Sequence, residues 1–180
     1  DVPHALIVWL QAPGEPDNEN LQAQWAALGE QYQAIVLAPQ SADPARWNPS
    51  EVDFIRKTID NVLSIYTIDR NRIVVHGQQA GGSMSYLVGF SHRDLIRGVA
   101  PLDASLPIRA AIKANDPGER LAFYAFNLKD SKLAKASAAG LKRLTAAKYP
   151  VTAVQLSDKA GLSDSDRIQF LQWVDSLDRI

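Results

Sequence analysis

The 180-residue chain contains no cysteine, one methionine and only three histidines. The absence of cysteine excludes disulfides, thiolate metal sites and a cysteine nucleophile, and fits either a reducing or an oxidising compartment. Three dispersed histidines with no HExxH-like pair leave no metal-ligating pattern. Asp158, Asp164 and Asp166 read as a solvated loop-and-cap cluster, so no metal and no other cofactor is expected. Charge of one sign is missing too. Nineteen basic residues against twenty acidic ones, with no block of like charge, give no electrostatic footprint for nucleic acid or an anionic membrane surface. No apolar run approaches the roughly 18 residues of a spanning helix, so no membrane insertion is expected and the chain reads as soluble. No internal repeat, low-complexity segment or linker appears. One domain over 1–180 is expected, and a start at Asp1 just ahead of a core strand suggests a domain cut from a longer polypeptide.

What is present is a regular alternation. Ala5 to Leu10, Ala34 to Leu37, Arg72 to His76, Gly98 to Leu102, Leu121 to Phe126 and Val151 to Leu156 are short apolar runs of strand length. Between them lie helical patterns. Leu21, Trp25 and Leu28 recur before Gly29; Val52, Ile55, Ile59 and Val62 follow a cap-like Ser50 with Asp53. A helix spans about Gln79 to Ser91, a short one fits Ile108 to Ala114, and Asp130 to Lys148 is an alanine- and lysine-rich helical stretch that tolerates Gly140 at a cost of about 1 kcal/mol. Ser163 with Asp166 caps a closing helix whose apolar face holds Phe170, Leu171 and Val174. Six strands alternating with helices predict a three-layer α/β/α sandwich around a mostly parallel, about six-stranded sheet. Any ligand is expected beyond the carboxyl ends of its strands. The stretch from Asp103 to Arg120 is too short to form a lid domain.

The stretch from Ile68 to Tyr86 is the most informative. It reads as strand, glycine turn and helix in immediate succession, with Gly77-Gln78-Gln79-Ala80-Gly81 where a nucleophile elbow would carry G-x-S-x-G. Tyr66, the Ile68-Asp69 pair and the Asn71-Arg72 pair ahead of this turn resemble the polyhydroxybutyrate depolymerase and feruloyl esterase branch of the α/β-hydrolases. The chain resembles a truncated form of that fold, lacking its first hairpin strands.

The resemblance implies a Ser-Asp-His order along the chain. At the nucleophile position stands Gln79, whose amide cannot attack an acyl carbon. Asp130 matches the triad acid, and its competing role is an N-cap for a helix beginning at Ser131. Leu162 fills the position of the triad histidine, and leucine neither accepts nor returns a proton. The second oxyanion donor is expected from the loop Gln11 to Gly14, where Pro13 has no N–H. A polar pocket lined by Gln11, Gln78, Gln79 and Ala80 is expected to persist.

The histidines offer no substitute base. His4 lies at the wrong end of its strand, His92 ends the elbow helix and is expected to face solvent, and His76 reads as packed or bonded to backbone. Ser83 and Ser85 fall inside the helix, where a hydroxyl bonds the carbonyl one turn back. The preferred reading is a catalytically inactive hydrolase-like domain. It would serve as an accessory module binding a small ligand, a separate protein or other domains of its own polypeptide, within a larger hydrolase that could be a protease. An extracellular or cell-envelope location follows from the resemblance alone. Two alternatives stay open: a weakly active serine esterase or peptidase using Ser83 with His76, and a purely structural or oligomerising domain.

Overall fold

The computed structural model describes residues 2–14, 16–107, 112–116, 118–156 and 161–179. In chain order the elements are β1 (His4–Leu10), α1 (Asn18–Tyr32), β2 (Ala34–Leu37), α2 (Val52–Ile65), β3 (Ile68–Gln78), α3 (Ala80–Ser91), β4 (Gly98–Leu102), β5 (Ala122–Leu128), α4 (Ala134–Ala146), β6 (Val151–Leu156) and α5 (Asp164–Ser176). One-turn 3₁₀ segments occupy Pro49–Glu51 and Leu177–Arg179. The strands form one sheet in the order β2-β1-β3-β4-β5-β6, and every adjacent pair is parallel. This is the expected α/β sandwich.

The continuous apolar runs are buried because both sheet faces are covered. On one face Ile55 and Ile59 of α2, Met84 and Val88 of α3, and Leu141 and Leu144 of α4 pack over Leu6, Val75 and Phe123. On the other, Trp25 of α1 and Phe170, Leu171 and Val174 of α5 pack over Ile7, Val74 and Phe126. Each such fully buried side chain contributes about 1.5–3 kcal/mol relative to exposure. β3 starts earlier than its apolar run because residues 69–72 form an irregularity in the pairing with β1. Arg72 holds that bend, donating to Asp69 at 2.9 Å, Asp175 at 2.8 Å and the Pro3 carbonyl at 2.9 Å.

Several helix boundaries differ from expectation. α1 runs through Gly29 and stops at Gln33, which turns left-handed (φ 50°) with its N–H donated back to Glu30 and Gly29 carbonyls. The Ser50–Asp53 start is replaced by Asn48, whose N–H donates to Glu51 Oε2 at 2.7 Å. Glu51 also accepts from Ala42 N–H at 2.8 Å and the Ser41 hydroxyl at 3.0 Å, which folds the loop before α2 onto the helix. α4 begins at Ala134 rather than near Asp130. Gly140 within it is a requirement of packing, since a Cβ there would sit 2.8 Å from Leu106 Cβ. The Ser163–Asp166 capping box is present, with Ser163 N–H donating to Asp166 at 2.9 Å and Asp166 N–H donating to Ser163 Oγ at 3.2 Å. The short helix expected over Ile108 to Ala114 lies mostly outside the described residues, and 112–114 have no regular structure.

Candidate functional site

β3 and α3 are joined by Gln79 alone, and its backbone lies at φ 50°, ψ −108°. Such a conformation costs a non-glycine residue on the order of 1–3 kcal/mol and persists only where neighbours over-determine it. Here they do. Gln79 N–H donates to the Leu102 carbonyl at the end of β4 at 2.9 Å, and the Gln79 carbonyl accepts from Ser83 N–H at 2.9 Å. A Cβ on Gly81 would overlap the Leu10 carbonyl oxygen, and one on Gly77 would overlap the backbone of Gly81. The start of α3 is thereby pressed against the ends of β1 and β3, and the Gln79 side chain is left exposed at the tip.

A cleft of about 650 Å³ opens beside it at the carboxyl ends of β3, β4 and β5. Gln78, Gln79, Ala80 and Ser83 form one wall, Asp103 and Ser105 the floor after β4, and Leu128 with Asp130 to Leu133 the other wall. Three of the four expected pocket residues therefore share a cavity, and Gln11 does not. It lies in a separate hollow of about 160 Å³ with Trp9, Gln78 and Leu162. Its side chain is committed there, donating to Asn18 Oδ1 at 2.7 Å and accepting from Asp17 N–H at 3.0 Å. The Gln11 carbonyl accepts from Trp47 Nε1 at 2.8 Å, which ties the loop after β1 to the loop before α2.

Asp130 caps no helix. It is exposed and has no hydrogen-bond partner among the described residues. The turn ahead of α4 is held instead by Ser131, whose Oγ accepts from Leu133 N–H at 3.0 Å. Leu162 is half-buried against the α1/α5 side of the core, and residues 157–160, including Asp158, lie outside the described residues. Its carbonyl accepts from Arg167 Nη1 at 2.6 Å; Arg167 also donates to Gln24 at 3.1 Å and Asp164 at 2.6 Å.

His76 has no exposed surface, and its ring lies 4.0 Å from Trp9, 5.8 Å from Phe170 and 5.9 Å from Phe126 between centroids. Neither ring nitrogen meets hydrogen-bond geometry with any described group. Burial pushes its pKa down to about 3, although the backbone of Ala100, registered beside it on β4, pulls slightly upward. The ring stays neutral and out of reach of the cleft. His92 is half-buried rather than turned to solvent, with Nε2 3.4 Å from the Val52 carbonyl. Ser85 donates to the Gly82 carbonyl at 2.7 Å, as a helical serine should, whereas Ser83 Oγ faces the cleft without such a bond. Among the described residues no three His, Asp or Glu side chains gather as a metal would require, and no helix is long and apolar enough to cross a membrane.

Three parts of the site escape a reading of the sequence. Asp103 adopts φ 45° as it leaves β4, its N–H donating to the Phe126 carbonyl at 2.9 Å. An aspartate directly after a strand, of a type that tolerates the left-handed region, is the signal that marks it. Ser105 and Lys132 carry no comparable signal.

Comparison with known proteins places the fold. No family model matches the chain. A poly(3-hydroxybutyrate) depolymerase from Ralstonia pickettii is 28% identical over a 92-residue alignment that takes in 42% of this chain and 18% of the depolymerase's own length. Among solved structures, a ferulic acid esterase superposes with a TM-score of 0.73 at 14% identity, covering 98% of this chain and 86% of the esterase. Arabidopsis thaliana SOBER1 superposes with a TM-score of 0.73 at 18% identity, covering 97% and 99% of the two chains. FphF, a fluorophosphonate-binding serine hydrolase of Staphylococcus aureus, gives 0.73 at 14% identity over 96% and 84%. The fold is that of the α/β-hydrolases, with esterases among its structural relatives.

Proposed function

We propose that this chain, which has the α/β-hydrolase fold, is a catalytically inactive domain that binds a ligand or a partner as an accessory module of a larger hydrolase. The carrying observation is Gln79. A strained, glycine-locked turn presents its side chain at the mouth of a cleft, and a carboxamide has neither a hydroxyl nor a thiol that a base could deprotonate for attack on an ester. The supporting observation is the state of the bases. His76 is sealed among aromatic rings, and Leu162 stands where the family resemblance would put an imidazole. Ser83 and His76 do not form a substitute pair, because neither His76 nitrogen is hydrogen-bonded to Ser83 or to any other described side chain and the ring has no exposed surface. The host hydrolase, secreted or anchored in a cell envelope and a protease among the candidates, is part of the same reading and rests on resemblance.

The test is fluorophosphonate labelling of the purified chain, followed by intact-mass measurement and assay on short-chain p-nitrophenyl esters. No adduct and no hydrolysis above buffer are expected. A single labelled serine, lost in Ser83→Ala, would sink the reading.

A further inference from the structure

We infer that the cleft beside Gln79 takes a neutral, polyhydroxylated ligand, a saccharide in chemical class. The inference rests on the binding-module reading above and gives it a ligand. Beside Ser131 and Lys132, six polar side chains converge on this cavity from three strand ends: Gln78, Gln79, Ser83, Asp103, Ser105 and Asp130. None of the six has a side-chain hydrogen bond to another described residue. Elsewhere the comparable groups are used internally: Glu51 accepts three hydrogen bonds, and Arg72 and Arg167 each donate to three partners. A ligand can therefore engage the six cleft groups without breaking a side-chain hydrogen bond between described residues.

Their chemistry selects among ligands. Two carboxylates only accept, while two amides and two hydroxyls both donate and accept, so the complement is a molecule rich in O–H groups. An anionic ligand would meet Asp103 and Asp130 with Lys132 as the single opposing charge among the described lining residues. A purely acyl ligand would strip water from all six groups and return hydrogen bonds only at its carbonyl oxygens, with no donor for the two carboxylates. A cation would find two carboxylates but no aromatic face, since no aromatic residue lines the cleft. Leu128 and Leu133 supply an apolar wall of the kind that accepts the C–H face of a sugar ring. At about 650 Å³ the cavity is of small-molecule size.

The experiment is a ¹H–¹⁵N correlation titration of the full chain with cellobiose, glucuronate, glucosamine and methyl 3-hydroxybutyrate as separate arms. Cellobiose is expected to move the amides of Gln78 to Ser83, Asp103 to Ser105 and Asp130 to Leu133 saturably. Glucuronate should bind about ten-fold more weakly. Asp103→Asn, which keeps a residue suited to the left-handed backbone, should weaken cellobiose about ten-fold without altering the remaining spectrum. The inference is overturned if cellobiose moves none of these amides, if it moves amides elsewhere, or if glucosamine or the ester binds more tightly. Failure here is separable from failure of the inactive reading. A serine adduct would end the latter and leave sugar binding intact, whereas a cleft blind to cellobiose but unlabelled would do the reverse.

Discussion

The guanidinium of Arg167 donates to the carbonyl of Leu162 at 2.6 Å, and through its second contact, Gln24 at 3.1 Å, ties the loop before α5 to α1. Arg167 is buried and its Asp164 partner is largely exposed, so the two uncharged acceptors carry most of the anchoring. Arg167→Leu should destabilise the chain by about 2–3 kcal/mol, read as a lower urea midpoint at unchanged slope. Arg167→Lys should recover less than half of that, because an ammonium lacks the planar fork that reaches all three acceptors. Equal stability of all three proteins would show that the contact contributes nothing.

The strain at residue 79 predicts a gain of stability from a smaller side chain. Gln79→Gly removes the Cβ that makes φ 50°, ψ −108° unfavourable and should stabilise by up to about 1 kcal/mol, after the extra chain entropy of glycine is counted. Gly81→Ala should do the opposite by several kcal/mol, since its Cβ meets backbone that cannot yield. Thermal unfolding of the two variants beside the parent decides both.

Restoring a hydroxyl alone should restore no chemistry. Gln79→Ser is expected to stay unlabelled by fluorophosphonate and to hydrolyse p-nitrophenyl acetate no faster than buffer, because no described histidine reaches the turn. Labelling of this variant would reveal a base that the geometry does not supply.

His76 makes stability depend on pH. Its folded pKa, about 3, lies below the ordinary 6.5 because burial disfavours the imidazolium. The unfolded chain therefore takes up the proton first. The neutral ring's contribution is complete above pH 6.5 and is lost as pH falls from there toward 3. At pH 4.5 the loss should be about 2–3 kcal/mol relative to pH 7. Urea titrations at pH 7, 5.5 and 4.5 on the parent and on His76→Phe check this, the variant being expected to show a shallower decline. Parallel declines would assign the acid sensitivity to other groups.

Glu51 should behave as a fastener for the loop ahead of α2. Glu51→Ala strips acceptors from Ala42, Ser41 and Asn48, at a cost of about 1–3 kcal/mol. Because Trp47 in that loop donates to the Gln11 carbonyl, a shift in tryptophan emission should accompany the loss. Unchanged emission with the full loss of stability would uncouple the two loops.

The inner strands were readable because they are buried on both faces, so Ala5 to Leu10 or Leu121 to Phe126 had to be apolar throughout, whereas the edge strands β2 and β6 are only partly buried. The turn was readable because Gly77 and Gly81 meet backbone and admit no other residue. Asp130 misled because Asp130, Ser131 and the lysines beside them all suit a helix start, and only packing decides that α4 begins at Ala134. Gly140 looked like a tolerated defect because its neighbour, Leu106, is 34 positions away in sequence. Arg167 was invisible for a similar reason: its partner Gln24 is separated by 143 positions, and no local pattern encodes that pairing. The gathering of Asp103, Ser105 and Asp130 beside Gln79 belongs to the strand order and not to any one segment.

The glycine-locked turn also makes residue 79 a natural attachment point. The chain has no thiol of its own, so Gln79→Cys would introduce a unique one. It would be held outward at the positive end of α3, where the helix dipole favours thiolate and hence fast, single-site coupling of a probe to the rim of the cleft.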